Sequence, residues 1–244
     1  SDISLSLIEN FDDYMQEVRG NASGGRNPKH KNLRTVILDI EKHNIPVDNP
    51  YKWFKIPQAN TKEVYLDKTE LQAMRSLRSK LSHSSTMYKV LQMYLFSCYC
   101  GLRYSDVIDL KWSHIDFEKN LIKKEMIKTR SEVITPLFTM ARAVILEMSD
   151  EKKLINTTKK IFHKYSETTI NQTLAKLTQM AKIDKHITYH SSRHTFATLL
   201  VQDGTDIYTI SRYLGHKSID MTQRYLKYDL SVAINSAKEI KTFG

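Results

Sequence analysis

The chain has 244 residues, 41% of them hydrophobic, which is enough for one large domain or two smaller ones with a proper core. No apolar run approaches the ~20 residues of a membrane span, and no signal-peptide pattern opens the chain, so a membrane partner is not expected. Thirty-seven Lys and Arg against 27 Asp and Glu leave a formal charge of +10, the footprint expected of a nucleic-acid binder.

Residues 5–18 place Leu7, Ile8, Phe11, Tyr14, Met15 and Val18 at helical spacing, with Ser6 and Glu9 as a possible capping box. That helix is expected to end in the Gly-rich run 20–25. A second helix is predicted over 28–43, with Pro28 at its start and Leu33, Val36, Ile37 and Ile40 as its stripe. Residues 45–64 hold three prolines and read as a linker anchored by Trp53 and Phe54. A domain boundary is placed near residue 60, giving a partial helical domain over 1–60 and a larger domain over 61–244. The start at Ser1, not Met, is expected of a piece of a longer protein.

Asp67 and Glu70 form a second capping-box candidate, opening a helix to about residue 81. The next helix, 85–100, is apolar nearly all round and is expected to be central and buried. Its two thiols, Cys98 and Cys100, are the only ones in the chain and read as buried groups in a reducing compartment. After Gly101, Arg103 stands at the entrance of a short helix near Ser105, where an anion is favoured; pairing of Arg103 with Asp106 is the competing reading. Residues 115–137 change to strand period and predict a small antiparallel sheet with a basic tip of Lys123, Lys124, Lys128 and Arg130. Helices then resume over 138–148, 168–182, 190–203, 206–214, 218–226 and 231–240. Asn171, Gln172, Lys176 and Gln179 give one of them a polar, groove-reading face. Trp112 reads as core.

The run 188–228 concentrates the chemistry. His190 and Arg193 share a helix face. Gly215 ends the following helix as a C′ glycine, so His216 sits just past a rigid turn. Tyr225 follows nine residues later. Arginine binds phosphate oxygens, imidazoles hydrogen-bond or move protons, and a phenol can attack phosphorus. Tyr213 and Tyr228 are rivals for that last role, with Tyr213 better suited to the core. His194, four residues after His190, has metal-site spacing but reads better as a packed neighbour of the site.

Arg103 in Gly-Leu-Arg-Tyr-Ser-Asp, the lysine hairpin, His190-x-x-Arg193, Leu-Gly-His216 and Tyr225 occur in a fixed order. Together they resemble the tyrosine recombinase (phage integrase) family over roughly 62–228, in the style of integrases of conjugative transposons. The resemblance implies a mainly α catalytic domain with a small antiparallel β-sheet, preceded by part of the family's helical core-binding domain. It implies site-specific recombination through a 3′-phosphotyrosyl intermediate and a Holliday junction, serving integration and excision of a mobile element.

In that scheme Tyr225 is the nucleophile, and Arg103 and Arg193 clamp the non-bridging oxygens. Lys128 protonates the leaving 5′-oxygen, with Lys123 and Lys124 as rivals on the same hairpin. His190 exchanges a proton with Tyr225, His216 binds the phosphate, and Asp106 supports Arg103. No metal, ATP or other cofactor is required. The implied partners are double-stranded DNA with specific core sites, a homotetramer on DNA formed from free monomers, and accessory DNA-bending proteins. Ile234, Ala237 and Ile240 would offer an apolar patch for a neighbouring protomer. The implied location is the bacterial cytoplasm, on the nucleoid when DNA is bound. A non-catalytic regulator on the same fold and a type IB topoisomerase are the alternative readings.

Overall fold

A computed structural model of the chain describes residues 3–58, 63–148 and 157–226. The chain divides into two compact units, Ser1–Lys62 and Glu63–Gly244. In the first unit, helix α1 (Leu5–Asp13) is capped by Ser4, whose side chain accepts from Leu7 N–H. The Ser6–Glu9 box does not form, because the chain enters the helix two residues earlier than expected. After Asp13 the helix widens into a π-helical stretch, Tyr14–Val18. The wider turn takes the apolar stripe out of phase: Ile8 and Met15 are buried, whereas Tyr14 and Val18 face solvent.

Helix α2 (Ser23–Lys42) also departs from expectation, since Ser23, Gly24 and Gly25 are helical and Pro28 lies inside the helix. Tertiary anchors hold this start. Arg26 pairs with Asp12 at 2.6 Å, and Asn27 Nδ2 donates to the Pro57 carbonyl at 2.7 Å. His30 is fully buried between the Tyr51 hydroxyl and the Asp12 carboxylate, each 2.9 Å away. Ile8, Ile37 and Tyr51 make the small core. Residues 45–58 are not wholly irregular, as Pro50–Lys52 form a 3-10 turn. Tyr51 and Phe54 anchor that segment; Trp53 does not, being 75% exposed.

The second unit opens with α3 (Lys68–Ser76), where the Asp67–Glu70 capping box forms as expected. Helix α4 (Thr86–Cys100) starts at the Ser85 cap and buries residues on every face. It packs against α3, α5 (Tyr104–Ile108), α6 (Thr139–Glu147), α7 (Glu167–Met180) and α8 (Ser191–Gln202). Gly101 ends α4 at φ 70°, the left-handed conformation that glycine adopts most easily. Helix α5 (Tyr104–Ile108) follows at once, with Arg103 at its N-cap position. Strands β1 (Ile115–Asp116), β2 (Leu121–Glu125) and β3 (Glu132–Pro136) form an antiparallel sheet in that order. Trp112 is buried, as expected.

The pleat of β2 turns Ile122 and Lys124 inward and Lys123 outward. Lys124 is therefore not a tip residue; it is 3% exposed. Helix α9 (Ile207–Leu214) ends at Gly215, φ 61°, and α10 is a short helix of four residues, Asp220–Gln223, in place of the longer one expected over 218–226. Phe196, Ala197, Val201, Ile210, Leu214 and Tyr225 form a second apolar cluster. The helix expected over 231–240, and with it Tyr228, Ile234, Ala237 and Ile240, lies outside the described residues. Among the described residues no helix is long and apolar enough to cross a membrane.

A methyl group at Gly101 would approach Phe196 to 2.4 Å and Leu214 to 3.0 Å. Gly101→Ala is expected to cost about 3 kcal/mol, the sum of a left-handed backbone and an overpacked core. A denaturant midpoint that falls with an unchanged slope would register it.

Candidate active site

Four of the six side chains singled out in the sequence line one open cavity of about 470 Å³: Arg103, Lys128, His190 and Arg193. They arrive from separate elements. Arg103 precedes α5, Lys128 sits in the turn between β2 and β3, His190 precedes α8, and Arg193 is in the first turn of α8. Asn171 of α7 also lines the cavity, and its Oδ1 accepts from Tyr189 N–H at 3.0 Å, which fixes the backbone just before His190. Gln172, Lys176 and Gln179 of the same helix are exposed.

Arg193 is 3% exposed, and two of its five N–H donors are committed to backbone carbonyls. One terminal nitrogen donates to Gly101 at 2.8 Å, the other to Leu214 at 2.6 Å. Burial, and then the charge of Arg103, push its pKa down to about 9, so it remains a cation at neutral pH. Arg103 has a buried terminal nitrogen with no hydrogen-bond partner among the described residues. Two guanidinium groups that repel each other, with donors left over, make a site whose charge balance calls for an anion.

His216 and Tyr225 lie beside this cavity and do not line it. His216 Nδ1 shares a hydrogen bond of 2.6 Å with the Thr222 hydroxyl. Burial first, and then Arg193, Arg103 and Arg224, push His216 down to about 3. His190 is pushed down to about 4 by partial burial and by the His194 and Arg193 charges, although its ring stays open to solvent.

Tyr225 is buried, and its hydroxyl meets Nδ1 of His194 at 3.1 Å, not His190. The His190 ring packs edge-on against that of His194, their centroids 4.6 Å apart. The same His194 nitrogen lies 3.1 Å from the Glu63 carboxylate, and Glu63 pairs with Arg224 at 2.7 Å. Burial pushes Glu63 up, but His194 and Arg224 outweigh it and leave the carboxyl below its ordinary value. Burial and then Glu63 raise the Tyr225 phenol to about 12, against the opposing charges of Arg193, Arg224 and Arg103.

The Asp106 carboxylate does not hydrogen-bond the Arg103 guanidinium. One of its oxygens accepts from Ile127 N–H at 2.8 Å, in the turn that carries Lys128. Glu63 gave no signal in the sequence, lying in a stretch that reads as linker. Among the described residues no group of three or more His, Cys, Asp or Glu side chains is arranged to hold a metal ion.

The model of the phage integrase family matches residues 65–230, well over half of the chain. The chain belongs to the phage integrase family. Relatives include a tyrosine recombinase of Pseudothermotoga lettingae, 29% identical over 206 residues, which cover 81% of this chain and 68% of that protein. The tyrosine recombinase XerC of Rickettsia bellii is 32% identical over 134 residues, 52% of this chain and 43% of XerC. The chain thus spans less than half of several curated relatives that it matches. Among solved structures, the Tn1549 transposon integrase in complex with circular intermediate DNA aligns with a TM-score of 0.75 at 18% identity, covering 97% of this chain and 85% of that one. A lambda integrase dimer bound to a core site aligns with a TM-score of 0.71 at 16% identity, over 92% and 80%. At these identities the likeness establishes a phage-integrase fold, mainly helical with a three-stranded antiparallel sheet.

Both depressed imidazoles of this family member carry a stability consequence. Between their ordinary value of 6.5 and about 4, the unfolded chain takes up protons at His190 and His216 that the folded chain refuses. Stability therefore falls as pH drops through that window. The urea midpoint should decrease from pH 7 to pH 5, and the decrease should shrink in the double variant His190→Gln, His216→Gln.

Proposed function

We propose that this chain is the catalytic part of a site-specific DNA recombinase that cuts and rejoins strands through a phosphotyrosyl intermediate. The observation that carries the reading is the convergence of Arg103 and Arg193, ninety positions apart, on one cavity with Lys128 and His190. A phosphodiester seated there would meet two planar guanidinium groups, suited to its non-bridging oxygens as their charge grows in the transition state. Tyr225 attacks phosphorus, giving a 3′-phosphotyrosyl bond and a free 5′-hydroxyl. Lys128 supplies the proton to the leaving oxygen. His216, neutral and fixed by Thr222, hydrogen-bonds the phosphate. The hydrogen bond in place at the phenol makes His194 its first proton partner, with His190 next to it and open to the cavity.

Reversal by another strand's 5′-hydroxyl religates the DNA, so four copies working on two sites would exchange strands through a Holliday junction. Duplex DNA is the substrate that fits a chain of charge +10, with affinity falling as salt rises. The unit Ser1–Lys62 is read as part of a helical core-binding domain. Integration and excision of a mobile element is the role this reading favours; the Tn1549 integrase, a transposon's enzyme, supports it by likeness of fold.

Tyr225→Phe should retain DNA binding and lose the covalent adduct with a nicked suicide duplex, scored on a denaturing gel. An adduct that persists would move the nucleophile, first to Tyr228. Adduct absent from the unsubstituted chain while it binds the same DNA would favour a regulator without catalysis.

A further inference from the structure

Lys124 lies on the inward face of β2, and its ammonium group reaches across to α5. It donates to the Asp106 carbonyl at 3.1 Å and to the Asp109 carboxylate at 3.3 Å, and it stands 3.9 Å from the Asp106 carboxylate. That last carboxylate turns back to the hairpin and accepts from Ile127 N–H at 2.8 Å. The contacts close a ring from β2 to α5 and back to the turn after β2. Both ends of the ring lead to the cavity. Arg103 stands three residues before Asp106, and its carbonyl accepts from Asp106 N–H at 2.9 Å. Lys128 directly follows Ile127.

At its base the turn is held by Met126, buried in the core, and at its tip by the Thr129 and Ser131 hydroxyls 2.7 Å apart and an exposed Arg130–Glu125 pair at 3.7 Å; none of these fixes Ile127 or Lys128 directly. Within it, Met126 N–H donates to Ser131 and Arg130 N–H to Met126, and Arg130 is in the left-handed region at φ 54°. Without the ammonium group, the buried Asp106 carboxylate would lose the one cation within 4 Å of it among the described residues. Lys160 reaches Asp109 at 3.3 Å from the solvent side and leaves Asp106 untouched. Burial and charge therefore both work against Lys124 unless these oxygens stay where they are.

We propose that Lys124 is a positioning residue: it holds Asp106 so that the carboxylate grips the turn at Ile127 and sets Lys128 against the leaving oxygen. The inference rests on the reading of Lys128 as the proton donor. In the cleavage step the phenol proton passes to His194 Nδ1, the bond from the phenol oxygen to phosphorus forms and the bond from phosphorus to the 5′-oxygen breaks. The proton of Lys128 passes to that 5′-oxygen. With sulfur in the 5′-bridging position the leaving group departs as a thiolate and needs no proton. A misplaced Lys128 should therefore matter for oxygen and not for sulfur, whereas general damage to the fold would slow both.

The test measures adduct formation on suicide duplexes carrying 5′-bridging oxygen or sulfur. Lys124→Met should cleave the oxygen duplex about 10- to 100-fold slower, and the sulfur duplex within about threefold of the unsubstituted chain, as expected for loss of general-acid assistance. Equal deficits on both duplexes, or none on either, would overturn the proposal. Lys128→Ala is the reference. If sulfur fails to rescue it, the reading of Lys128 falls and the proposal with it. If sulfur rescues Lys128→Ala but not Lys124→Met, the proposal alone falls. Should Lys124→Met not fold, Asp109→Asn decides: a deficit confined to oxygen supports the positioning role, and its absence overturns it.

Discussion

Two helix ends aim their carbonyls at one buried guanidinium. Gly101 is the cap of α4 and Leu214 the last residue of α9, positions where backbone oxygens have no partner within their own helix. Arg193 takes both, and the partial negative charge at helix C-termini favours a cation there. The arrangement needs two left-handed glycines, Gly101 and Gly215, to bring the chain ends close enough. Gly215 is itself pressed against Val133 of β3, so the hairpin and the turn before His216 are packed as one. Each segment that delivers a site residue is thus fastened, directly or at one remove, to this guanidinium.

That fastening has an electrostatic cost. Arg103 and Arg193 act on each other through a poorly solvated space, which is why burial and the neighbouring charge both depress Arg193. A phosphate between them would relieve the repulsion and use donors that the fold leaves spare. The phenol is governed by opposing influences. Burial and Glu63 hold it protonated, and three arginines pull the other way. As folded, the site keeps Tyr225 neutral and bonded to His194; an added phosphodiester draws on charges already in place.

Elements announced by strong local chemistry could be read directly from the sequence. The all-round apolar character of α4, the Asp67–Glu70 box, the glycine stop after α9 and the change to strand period at residue 115 each have one dominant physical cause. Arg103, Lys128, His190 and Arg193 were marked out by residue type and order, and they meet. What was hidden depended on contacts between distant positions. The early start of α2 is held by Asp12 and Pro57, which no local pattern announces. Lys124 looked like a surface lysine because its partners, Asp106 and Asp109, lie on another element. Glu63 reads as linker until α8 and the segment after α10 close on it. The sequence reads His194 as a packed neighbour of the site; only the tertiary structure brings its nitrogen to the Tyr225 hydroxyl.

The two sulfur atoms of α4 bear on how this molecule can be handled. Cys98 and Cys100 are both buried, and burial raises both thiols, Cys100 to about 12. Thiolate is the reactive form, so neither should couple readily to a maleimide dye while the fold is intact. A cysteine introduced on an exposed face would then be the preferred attachment point for a fluorophore. The motion of a chosen segment on DNA could be followed one particle at a time without first removing the native sulfur.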